Sequence, residues 1–136
     1  MNRFYYNLPI LLLLLFTSAA QSATYFIDYV GGADANNGTS TNTPWKTHPY
    51  MVNSAVSGYS HAAGDRFIFK GGVTWPINTT GAVKPHAGGT VASPDYNGVT
   101  NNWYAGTGWN PPRFDGGDVD TEGFDLFHSG ILQVEN

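Results

Sequence analysis

The chain has 136 residues, six basic and ten acidic side chains and no cysteine. The missing thiols exclude a disulfide scaffold and any thiolate metal site. The acidic balance, with no basic cluster, argues against a nucleic-acid partner.

Residues 1–20 read as a secretory signal peptide. Arg3 supplies a positive start, Leu8 to Phe16 form a short apolar run, and small residues follow in Thr17-Ser18-Ala19-Ala20-Gln21-Ser22-Ala23. The run is too short to span a bilayer, so no stable membrane anchor is expected after processing. Cleavage is expected between residues 20 and 23: after Ala20, with Ser18 and Ala20 at the small-residue positions, or after Ser22, with Ala20 and Ser22 there. Once Arg3 is removed, five basic residues (Lys46, Arg66, Lys70, Lys84, Arg113) face ten acidic ones, a net charge of −5. A secreted, extracellular or cell-surface location is expected, with the periplasm as the alternative.

The first element past the leader is Thr24 to Val30, aromatic and β-branched, which predicts a strand ended by Gly31-Gly32. A polar loop follows from Ala33 to Thr43, closed by Pro44-Trp45. Pro49 to Val56 is the one stretch predicted to be helical, with Pro49 suited to the first turn and Gly58 placed just past its end. Ala63 to Trp75 reads as a tight turn, a compact apolar strand, a Gly71-Gly72 corner and a second extended piece. Further strands are predicted at Gly81–Lys84, Pro112–Phe114, Phe124–Phe127 and Ile131–Val134. Ala87 to Trp109 reads as a long loop. The last two strands carry nothing after them that would cap an exposed edge, which predicts the front part of a longer protein.

Short strands bent by Gly, Asn or Ser corners predict an all-β chain of stacked coils. A small β-sandwich is the alternative, but it needs about seven alternating strands, and residues 85–110 do not supply them. The segments Asp28-Tyr29-Val30-Gly31-Gly32-Ala33-Asp34, Asn36 to Ser40, Thr43 to Thr47 and Ala63 to Trp75 resemble the opening of secreted right-handed parallel β-helix proteins of the pectate-lyase-like group. Phe114-Asp115-Gly116-Gly117 resembles a following coil. The resemblance implies that residues 24–136 form an N-terminal cap, with its short helix, and the first coils of such a solenoid.

For function, the resemblance implies an exported carbohydrate-active protein: a polysaccharide (polyuronate) lyase or hydrolase, with a polysaccharide or glycan as partner. In pectate-lyase-like enzymes a Ca²⁺ ion neutralises the sugar's acid group while a Lys or Arg removes the adjacent proton. No complete active site is expected within these residues, and no catalytic residue is assigned; Arg66 and Lys70 read as solvent-facing charge. The alternative is a non-catalytic glycan-binding or surface adhesion module on the same fold.

Calcium is the one candidate cofactor. Asp34 and Asn36 are the candidate metal ligands, because oxygen donors alternate with a glycine-bent turn, as in the first half of a calcium loop. The same pattern also fits side chains that fix the turn through backbone N–H groups. The acidic run from Asp115 to Asp125 reads as a solvated turn. Trp103, Tyr104 and Trp109 are the candidate carbohydrate-binding residues, since aromatic faces stack on sugar rings; packing over the coils is the competing role. The four histidines read as scattered loop or corner residues with no carboxylate partner.

Overall fold

A computed structural model of the chain describes residues 21–117 and the strand at 132–134. The leader, the run Phe124–Phe127 and the acidic residues 118–125 lie outside the described residues. Seven short elements follow in order: β1 (Thr24–Ile27), β2 (Arg66–Phe69), β3 (Thr74–Pro76), α1 (Ile77–Thr80), β4 (Asp95–Gly98), β5 (Arg113–Asp115) and β6 (Leu132–Val134). The described residues are therefore all-β apart from one helical turn. No described helix is long and apolar enough to cross a membrane.

Every pairing between the described strands is parallel. One sheet runs β1-β2-β4-β6 and the other pairs β3 with β5. Successive passes of the chain lie over one another in register: Thr24 beside Arg66 beside Tyr96, and Tyr25 beside Phe67 beside Asn97. Gly71 bridges to Tyr104 between the sheets. The corner after β2 needs glycine at both positions. A Cβ on Gly71 would sit 2.6 Å from the carbonyl oxygen of Asn110, and Gly72 holds φ +69°, a conformation that side chains disfavour.

Alternation along each strand divides the residues between two faces. Tyr25, Ile27, Phe67 and Phe69 turn inward and join Trp45, Tyr50, Met51, Val73, Trp75 and Val83 in one apolar core. Aromatic rings stack on rings of the next pass: Tyr25 on Phe67 at 5.7 Å between centroids, and Trp75 on Phe114 at 5.7 Å. Phe69 meets the Trp75 ring edge-on at 5.3 Å, joining the two sheets. Aromatic pairs of this kind add about 0.5–1.5 kcal/mol beyond the area they bury.

The outer edge of β1 is covered by the loop that follows it. Phe26 N–H donates to Gly38, Asp28 N–H to Trp45, and Trp45 N–H back to Phe26. The Trp45 ring stacks on Tyr25 at 4.6 Å. The segment around Trp45 thus closes that edge.

The helix predicted over Pro49–Val56 is not formed. Its backbone donors pair elsewhere: Tyr50 N–H with His48 Nδ1, Val52 N–H with Ala82 and Asn53 N–H with Thr80. Met51 and Val83 form an antiparallel bridge, so the predicted strand at Gly81–Lys84 is reduced to that contact. Tertiary pairing overrides a weak helical pattern, and the single helical turn forms at Ile77–Thr80 instead. The long loop predicted over Ala87–Trp109 contains β4, whose Asp-Tyr-Asn-Gly sequence lacks β-branched residues.

Candidate functional site

The outward positions of the first sheet form the floor of a groove of about 490 Å³. Thr24 and Phe26 of β1 and Arg66 and Ile68 of β2 make that floor, because alternate residues share a face. Thr41 rises on one side and Thr100, Asn102 and Trp103 on the other. The Trp103 ring meets Phe26 edge-on at 5.3 Å. One indole wall, several hydroxyls, one amide and one guanidinium therefore converge on a single open cleft.

Arg66 and Lys70 both reach this face but carry their charges differently. The Lys70 ammonium lies 2.6 Å from Asp28 Oδ2 and 5.7 Å from the Trp103 ring centre. Asp28 is itself fixed, its Oδ1 accepting the N–H groups of Val30 and Gly31. Lys70 is thus a neutralised strut at the strand end. Arg66 instead places its guanidinium over the Tyr96 ring. Tyr96 lies flat across Gly98, where a Cβ would run into its phenol.

The candidate carbohydrate-binding residues separate. Trp103 walls the groove. Tyr104 and Trp109, partly exposed, gather at the Gly71 corner: a Cβ there would lie 3.1 Å from Tyr104 Cβ and 3.6 Å from Trp109 Nε1.

The candidate metal ligands are occupied by the chain. Asp34 Oδ1 accepts the N–H groups of Lys46 (3.0 Å) and Thr47 (2.8 Å). Its Oδ2 accepts the Thr47 hydroxyl (2.8 Å) and the Ala55 N–H (3.2 Å). Asn36 Nδ2 donates to the Pro44 carbonyl at 2.8 Å. Both side chains tie the loop over residues 33–55 together. Among the described residues no group of three or more His, Cys, Asp or Glu is placed to hold a metal ion.

Two buried carboxylates escaped the sequence reading. Asp65 and Asp95 stand at the starts of β2 and β4, one above the other, with Tyr96 N–H donating to the Asp65 carbonyl. Asp65 Oδ2 accepts the Tyr59 hydroxyl at 2.9 Å and the Ala62 N–H at 3.0 Å. Burial, together with Asp65, pushes the Tyr59 phenol well above its usual range. Asp95 Oδ1 accepts the Gly64 N–H, and its Oδ2 lies 2.8 Å from His61 Nε2. His61 therefore does have a carboxylate partner, contrary to the expectation of scattered histidines.

His48 also departs from that expectation, being fully buried. Burial lowers its pKa to about 3, while the adjacent Asn97 side chain favours the proton less strongly. Its Nδ1 accepts from Tyr50, so the proton of the neutral ring resides on Nε2, toward Asn97.

No protein-family model and no curated protein matches the sequence. Among solved structures, the chain is similar to a GH136 lacto-N-biosidase from Eubacterium ramulus. Against the selenomethionine derivative the TM-score is 0.47 at 23% identity, over 60% of this chain and 12% of that one. Against the native protein it is 0.46 at 23% identity, over 57% and 11%. The matched part of this chain therefore spans only about one eighth of the length of those structures.

Proposed function

We propose that this chain is the N-terminal portion of an exported, carbohydrate-active protein built as a parallel β-helix, and that the groove along its first sheet binds a polysaccharide. The single observation that carries the reading is the cleft itself. Trp103 offers an apolar wall for the C–H face of a sugar ring, while Thr24, Thr41, Thr100, Asn102 and Arg66 offer hydrogen bonds to its oxygens. Polar and apolar groups line the cleft in mixed fashion, which suits a sugar, whose ring presents both hydroxyls and C–H faces, and the aromatic wall combines apolar contact with a defined orientation. The in-register parallel passes support the solenoid reading, since each pass buries its inner face by stacking on the next.

In this reading the segment contributes sugar-binding subsites. Bond-breaking groups, if the protein is a lyase or hydrolase, come from other coils.

The test is titration of the exported protein with a panel of soluble oligosaccharides, read by tryptophan fluorescence. Binding that is lost in Trp103→Ala and retained in Trp109→Ala supports the groove. Binding indifferent to Trp103→Ala, or no binding across the panel, overturns it.

A further inference from the structure

Backbone pairing with β2 begins one residue before β1, at Ala23. Its carbonyl accepts the Arg66 N–H at 2.8 Å, and its own N–H donates to Asp65 Oδ1 at 2.8 Å. Gln21 and Ser22, immediately before it, are exposed. The backbone hydrogen bonding of the fold thus begins at the Ala23 nitrogen, and that atom rests on a buried carboxylate.

Asp65 is 1% exposed. The donors that face it are the Tyr59 hydroxyl and the N–H groups of Ala62 and Ala23, all neutral. No Lys, Arg or His pairs with it among the described residues. A buried carboxylate served only by neutral donors is costly, and a cation at hydrogen-bond distance offsets that cost.

We propose that the leader is cleaved after Ser22, and that the new α-ammonium of Ala23 is the cation that binds Asp65. This rests on the export reading above. Water adds across the Ser22–Ala23 amide under a signal endopeptidase. The carboxylate leaves with residues 1–22, and the amine stays on Ala23, protonated at neutral pH. Ala20 and Ser22 then occupy the small-residue positions of the cleavage site. One N–H of the ammonium keeps its direction toward Asp65. The others face the side vacated by Ser22, which is open to water. Processing thereby turns a neutral hydrogen bond into a charge-assisted one and ties down a terminus that would otherwise fray.

The test begins with intact mass and N-terminal sequencing of the full-length protein recovered from an exporting host. The expected first residue is Ala23. A mature protein beginning at Gln21 overturns this inference and leaves export standing; recovery of Met1 overturns both. The second arm is acetylation of the α-amine by a water-soluble succinimidyl acetate at neutral pH. In the folded protein the Ala23 amine is expected to react at least about tenfold slower than in urea, because the free-amine fraction falls about tenfold for each pKa unit that pairing adds. Asp65→Asn is expected to abolish the protection. Equal rates in folded and unfolded wild-type protein overturn the ion pair, even if the Asp65 variant does not fold.

Discussion

Arg66 and Tyr96 are neighbours in one ladder, and the Arg66 guanidinium carbon lies 4.1 Å from the centre of the Tyr96 ring. The ring in turn lies over Gly98. A flexible cationic side chain is thereby given a platform at the edge of the groove, a contact that contributes about 0.5–1 kcal/mol when exposed.

Gly98→Ala should displace that platform. The added methyl meets the Tyr96 phenol, and overpacking of this kind costs about 1–3 kcal/mol. A lower melting temperature is expected, with loss of the upfield ring-current shifts of the Arg66 side-chain protons by NMR. Tyr96→Phe should keep those shifts. Unchanged Arg66 shifts in Gly98→Ala would show that Tyr96 does not hold the guanidinium.

Trp75 is completely buried between Phe69 and Phe114. Trp75→Ala should destabilise the protein by about 3–5 kcal/mol, the range for removing a large buried aromatic ring. Denaturant unfolding measures it. A loss under about 1 kcal/mol would mean that the two sheets are not joined through this ring.

His48 predicts an acid limb of stability. Its pKa is about 3 in the fold and about 6.5 in an unfolded chain, so the unfolded state binds the extra proton between these values. Stability should therefore fall as pH drops from about 6.5 towards 3, and be unaffected by this group above 6.5. His48→Gln should be less stable at neutral pH, with a shallower slope through that window. A slope identical to wild type would assign the acid sensitivity to the carboxylates.

Asp34 separates loop bracing from calcium binding. With four donors on its carboxylate, Asp34→Ala should cost about 2–4 kcal/mol, at about 1 kcal/mol per net hydrogen bond. Calcium should leave the wild-type melting temperature unchanged. A calcium-induced rise that vanishes in Asp34→Ala would instead assign a metal to this loop.

The strands that were legible in the sequence are those whose inward residues are apolar. Thr24–Ile27 and Arg66–Phe69 announce themselves through Tyr25, Ile27, Phe67 and Phe69, and the Gly71-Gly72 corner through its glycines. β4 was hidden because its inward positions are Asp95 and Asn97, polar residues whose burial depends on partners far away in sequence: His61 and Gly64 for one, His48 for the other. The same non-local bonding unmade the helix at Pro49–Val56. For the groove, Trp103 was legible by type, but its separation from Tyr104 and Trp109 depends on strand register.

The two described passes between the sheets differ in length. Residues 70–73 connect β2 to β3, whereas residues 99–112 connect β4 to β5, yet the strands at both ends remain in register. The longer connection carries Thr100, Asn102 and Trp103 on the groove side and Tyr104 and Trp109 at the corner. The scaffold is thus indifferent to how much chain is spooled out between fixed rungs. Exchanging residues 99–112 as a cassette offers a way to reshape what the cleft grips while the inner rungs stay as they are.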